Sequence, residues 1–236
     1  MLKQNMFFII ILTFATLNLN AQEVYNQFDT NGKRHGKWQK TFEGSKHLRY
    51  QGEFSHGKEI GLFKFYKLYR GKSVLSATKL FNPENSIAEV TYLSSRGKTI
   101  STGKMDGKLH IGTWQYFHEK TKDLMTEEQY NSQGLLDGEK RTYYSAKKLA
   151  EVLIFKNGKK EGVSTWYAEE GTKLKEFTYE NDQLHGPAKF YDANEKIAVE
   201  GQYKRDKKTG YWKYYKDGEL YDEKDFTYYA KYKKKQ

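Results

Sequence analysis

Asn157-Gly158-Lys159-Lys160-Glu161-Gly162-Val163-Ser164-Thr165-Trp166-Tyr167 sets a turn, a second glycine and two adjacent rings in one short run. Asn-Gly favours the positive φ that tight hairpin turns require. The residues after Gly162 read as a strand. Trp166 and Tyr167 are neighbours, so they face opposite sides of it. A second turn at Glu169-Glu170-Gly171-Thr172 leads to a return strand, Lys175-Glu176-Phe177-Thr178-Tyr179. Two short strands and two turns make one unit.

The unit recurs. Closing apolar residues stand at Phe54, Phe81, Met105, Tyr130, Phe155, Tyr179, Tyr203 and Phe226, about 24 residues apart. A turn glycine recurs at Gly36, Gly61, Gly112, Gly138, Gly162, Gly186 and Gly210, with Ala88 filling the one missing place. Two independent markers sharing one period indicate a repeat array. The array has about eight units over residues 31–226, the third of them degenerate. Asn82-Pro83-Glu84-Asn85-Ser86 marks a bend or seam near 82–88.

Two and four residues past the second glycine lie Trp38 and Lys40, Phe63 and Phe65, Trp114 and Tyr116, and Trp212 and Tyr214. Each pair shares a face. The fifth position is often another ring, such as Tyr143, Tyr191 or Tyr215, and points the other way. A lone hairpin is marginal. Stacked hairpins build an all-β fold, an elongated, twisted antiparallel sheet in which identical ring positions lie above one another as cross-strand ladders.

The chain has 236 residues and a net charge of +11, and hydrophobic residues make up 37%, against roughly 45–50% in ordinary soluble domains. Aromatic residues supply much of the burial, with 20 tyrosines alone. The absence of cysteine excludes disulfides, thiolate metal sites and a cysteine nucleophile. Residues 1–21 read as a signal peptide: Lys3 is the basic start, Met6 to Leu17 the apolar core, and cleavage falls between Ala21 and Gln22. The expected mature chain has a lead-in at 22–30, the repeats at 31–226 and a basic tail at 227–236, and nothing after residue 21 is apolar enough to span a membrane. The expected location is exported: periplasmic, cell-surface or secreted.

Gly158-Lys159-Lys160-Glu161-Gly162 through Trp166-Tyr167, and Gly210-Tyr211-Trp212-Lys213-Tyr214-Tyr215 through Gly218, resemble the MORN-repeat variant of bacterial YwqK-type antitoxin proteins. The resemblance implies a non-catalytic interaction surface for proteins or acidic lipids. An antitoxin role sits poorly with an exported chain. The pattern departs at Ala88, Lys140, Ser164 and Ala188, where looser packing is expected. Trp212-Lys213-Tyr214-Tyr215 is also similar to choline-binding repeats, which keeps a cell-wall or glycan-binding module as an alternative.

Gly71-Lys72-Ser73 and Gly97-Lys98-Thr99 lack the upstream glycine of a phosphate loop, since Tyr66 and Tyr92 stand there. The histidines 35, 47, 56, 110, 118 and 185 show no metal-ligand spacing. Glu127, Glu176, Glu200 and Glu223 recur with the repeat and read as cross-strand partners of Lys or Arg rather than a hydrolytic pair. No catalytic residue, cofactor or metal is expected. Trp38, Trp114, Trp166 and Trp212 are the candidate binding-face aromatics. The expected partner is a protein or envelope component, with an acidic lipid or glycan as the alternatives. Export argues against nucleic acid, despite the basic charge.

Overall fold

The computed structural model describes residues 24–227. The signal segment, its Ala21–Gln22 junction and the lysines from 231 onward lie outside the described residues. Eighteen strands follow one another. They are β1 Gln27–Phe28, β2 Arg34–Thr41, β3 Leu48–Ser55, β4 Lys58–Tyr69, β5 Lys72–Phe81, β6 Ile87–Leu93, β7 Thr99–Asp106, β8 Leu109–Phe117 and β9 Leu124–Tyr130. Then come β10 Leu136–Tyr143, β11 Leu149–Lys156, β12 Lys159–Lys160, β13 Gly162–Tyr167, β14 Lys173–Glu180, β15 Gln183–Tyr191, β16 Ile197–Lys204, β17 Lys207–Lys216 and β18 Glu219–Asp225. Among the described residues the helical content is one 3₁₀ turn, Ser145–Lys147. The sheet is all-β, antiparallel and open, and each strand pairs with its neighbours in sequence, β12 and β13 both lying against β11.

Turn chemistry accounts for the hairpins. Both residues of His56-Gly57, Asn157-Gly158 and Asp217-Gly218 have positive φ, the geometry whose twist matches a hairpin. Asn181-Asp182 and Arg205-Asp206 adopt the same form without glycine.

Two irregularities repeat along the array. In every unit the return strand carries one extra residue: Arg49, Ser76, Ile100, Met125, Ala150, Leu174, Ala198 or Tyr221 is skipped by the ladder. Between units, the ladder shifts again at the repeat glycines. Gly61, Gly112 and Gly210 sit inside their strands with φ of 62°, 63° and 63°, within the shifts of β4, β8 and β17. Ala88 cannot take that conformation cheaply. There β5 and β6 pair straight through, Phe81 opposite Ala88.

One face is packed. The pairings carry a row across it: Trp38 opposite Gly52, Phe63 opposite Lys79, Lys79 opposite Val90, Val90 opposite Gly103, and Trp114 opposite Glu128. It continues through Lys140 opposite Leu153, Ser164 opposite Phe177, Ala188 opposite Gly201, and Trp212 opposite Lys224. Glycine stands next to a ring at Gly52, Gly103 and Gly201, which differs from the expected ladder of ring upon ring. A ring needs more width than the roughly 4.8 Å between strands, so it lies over a glycine next door. A Cβ added at Gly52, Gly103 or Gly201 would come closer than 3.0 Å to the ring of Phe63, Trp114 or Trp212. Rings then meet diagonally, edge to face: Phe54 with Phe63 at 5.2 Å, Phe63 with Phe81 at 5.2 Å, and Tyr203 with Trp212 at 5.2 Å. Such pairs add about 0.5–1.5 kcal/mol beyond burial. This replaces the aliphatic core that the composition lacks.

Candidate functional site

The four tryptophans share the packed face but not one environment. Trp114 and Trp212 are 0% exposed. Their indole N–H groups donate to the backbone oxygens of Lys104 at 2.9 Å and Gln202 at 3.2 Å. At these two positions the indole is core and offers a ligand no surface. Trp38 and Trp166 are half-buried. Trp38 donates to the Gln27 oxygen at 3.0 Å. Trp166 lies two residues past the row, beside Phe177 at 5.4 Å. The repeat glycines 36, 61, 112, 138, 162, 186 and 210 all have positive φ and shape the strands rather than a site.

Cations cover the rings of this face. The Lys208 ammonium stands 3.9 Å from the Trp212 centroid, Lys175 4.9 Å from Trp166, Lys160 5.1 Å from Tyr179, and the Arg34 guanidinium 4.2 Å from Phe54. Ring quadrupoles attract such cations by about 0.5–2 kcal/mol. Among the described residues no carboxylate pairs with Lys160, Lys175 or Lys208.

The opposite face alternates in charge. Its central row in the last units runs Glu176 opposite Lys189, Lys189 opposite Glu200, Glu200 opposite Lys213, and Lys213 opposite Glu223. Tyr191 and Tyr215 donate their hydroxyls to Glu176 at 2.6 Å and Glu200 at 2.7 Å. Burial raises the Glu176 carboxyl, but the Lys173 ammonium at 2.6 Å and the Tyr191 hydroxyl outweigh it and hold it below the usual range. Of the recurring glutamates, Glu127 reaches Arg141 across the strands at 4.0 Å, Glu176 pairs with Lys173 of its own strand, and Glu200 and Glu223 stand opposite Lys213 in register.

One polar network escapes sequence reasoning. Glu128 stands in the packed row beside Trp114, at a position occupied by glycine in Gly52, Gly103 and Gly201. It accepts from the Tyr130 hydroxyl at 2.6 Å and pairs with Lys140 at 2.8 Å. Burial pushes the carboxyl up, yet these partners leave it below its ordinary value. Burial also lowers the nearby His110 and Lys79. His110 stacks on Trp114 at 3.7 Å. Lys140 departs from the repeat pattern in the sequence, but only the register sets it opposite Glu128.

Elsewhere the titratable groups do not converge. His56 meets Asp29 at 2.7 Å and His35 at 4.8 Å between ring centroids. Among the described residues no group of three or more His, Cys, Asp or Glu could hold a metal ion. A shallow cavity of about 690 Å³ lies where the repeat falters, against Leu80, Phe81, Pro83 and Ile87. Gly71-Lys72-Ser73 and Gly97-Lys98-Thr99 fall in hairpin connections and strand starts.

An open sheet of stacked hairpins, with an alternating Glu–Lys row on one face and rings beneath cations on the other, defines a β-repeat protein. Residues 160–181 and 184–205 match the family model described as MORN repeat variant. These two stretches take in β13 to β14 and most of β15 to β16 with their turns, so two adjacent hairpin units match the MORN repeat variant. No curated protein sequence matches the chain. No described helix is long and apolar enough to cross a membrane.

Proposed function

We propose that the protein is an exported, non-catalytic scaffold that docks a protein or envelope component on its ring-and-lysine face. MORN repeats suggest a scaffold for protein or membrane binding. The carrying observation is the asymmetry between faces: Lys160, Lys175 and Lys208 rest on rings without a carboxylate, whereas Glu176, Lys189, Glu200, Lys213 and Glu223 alternate in charge across the register of the other face. A face with unneutralised cations over apolar rings suits an acidic partner surface. The apolar start of the chain, residues 6–17, supports export.

Photo-crosslinkers placed at Lys175 and Lys208 are compared in living cells with the same groups at Lys189 and Lys213. A discrete protein adduct from the first pair alone supports the reading. Adducts from neither pair, or equally from both, overturn it. Fusing residues 1–21 to a reporter active only outside the cytoplasm tests export, and a silent reporter removes that half.

A further inference from the structure

We infer that the outer edge of β18 is a docking edge for an extended, lysine-bearing segment of a partner protein, which joins the sheet as a further strand. This surface is separate from the ring-and-lysine face, so either reading can fail alone.

Among the described residues β18 is paired on one side, to β17. The return strands of earlier units pair on both sides, as β16 does with β15 and β17. The other end of the sheet is finished differently. β1 lies along β2, the Asn26 N–H donates to the Lys37 oxygen at 2.9 Å, and the Asn26 side chain accepts from the Gln39 N–H at 2.9 Å. Among the described residues one end is capped and the other offers a row of backbone donors and acceptors. Such an edge is a template for strand addition.

Charge selects the occupant. β18 reads Glu219-Leu220-Tyr221-Asp222-Glu223-Lys224-Asp225, four acids and one base in a chain of net charge +11. Glu223 ends the Glu-Lys alternation that runs through Glu176, Lys189, Glu200 and Lys213. The next strand in that pattern places a cation opposite Glu223. Leu220 and Tyr221 are exposed by 53% and 65% and supply apolar area beside it.

A second copy does not fit. Two β18 edges would bring carboxylates against carboxylates, which is destabilising. Joining β18 to another copy's β2 meets the β1 cap. It also sets Lys224 where Gly52, Gly103 and Gly201 make room for a ring, and a Cβ there comes closer than 3.0 Å to that ring. The edge instead suits a straight strand without the repeat's glycine bulge, as β6 lies on β5.

The test uses the full chain and a fluorescent seven-residue peptide with lysine at alternate positions, read by anisotropy. Saturable binding is expected. It should weaken about tenfold or more with Glu223→Lys and with Asp225→Lys, each checked by circular dichroism for an intact sheet. It should be lost when the peptide amides that face the edge are N-methylated, and weak for the glutamate version. No saturable binding, or equal binding of the N-methylated peptide, overturns the proposal. The peptide changes require no protein variant, so misfolding of β18 cannot shelter it.

Discussion

Gly201 lies beneath the indole of Trp212, so close that a Cβ on the glycine would fall within 3.0 Å of three ring atoms. The pair joins adjacent units, and Gly103 with Trp114 repeats it. Gly201→Ala must push the ring off its seat, because the contacting atoms belong to the rigid indole core. A loss of about 1–3 kcal/mol is expected in denaturant unfolding. Trp212→Leu in the alanine background should recover part of it. A stable Gly201→Ala protein with unchanged tryptophan emission would contradict the seating.

The third unit supplies an internal control. Gly112 has φ of 63° and nothing near its Cβ position, so Gly112→Ala costs backbone strain alone, about 1–2 kcal/mol. Ala88→Gly goes the other way. Its strand is straight, and glycine there loses about 0.5–1 kcal/mol of entropy. If Ala88→Gly stabilises the chain in urea titrations, the account of the missing bulge is wrong.

Ser164 occupies the place of a row tryptophan and is buried with a hydroxyl that has no hydrogen-bond partner. Ser164→Ala removes an unsatisfied donor at little cost in volume. A gain of about 1 kcal/mol is expected, seen as a higher melting temperature. A clear loss of stability would mean that the hydroxyl is satisfied in solution.

Glu128 and Lys140 form a half-buried pair inside the packed row. Lys140→Met leaves the carboxylate with the Tyr130 hydroxyl and no cation, a cost of about 1–3 kcal/mol. Adding Glu128→Leu should return most of that, as buried pairs often tolerate apolar replacement. A double-mutant cycle with no coupling would refute the pairing.

Acid should loosen the first unit. The Lys33 backbone N–H, followed by the His56 side chain, brings Asp29 down to about 2. A lowered carboxyl stabilises the fold fully above its unfolded value near 3.9. That contribution disappears as pH falls through about 2. Asp29→Asn should flatten the pH dependence of amide exchange in residues 29–57 between pH 4 and about 2. An unchanged profile would show that Asp29 does not anchor this end.

The period, its apolar and glycine registers and the face shared by Trp114 and Tyr116 were legible because hairpins write local signals into the chain. Asn157-Gly158 and Asp217-Gly218 name their turn type outright. The bulge at Ser76, Ala198 and their counterparts was hidden, since a skipped residue changes spacing by one and turn lengths vary as much. Glu128 was hidden because its meaning depends on the residues across from it. Only the register reveals that it stands in a glycine's place beside an indole. The burial of Trp212 was hidden for the same reason, as Gly201 lies eleven residues upstream.

Because each described strand pairs with strands close to it in sequence, nothing in the sheet waits for a distant part of the polypeptide. Loop-closure entropy stays small at every step. A chain passed through a narrow pore can recover its form in the order in which it emerges. Loss of one terminal rung frays that end and spares the remainder, so damage stays where it occurs.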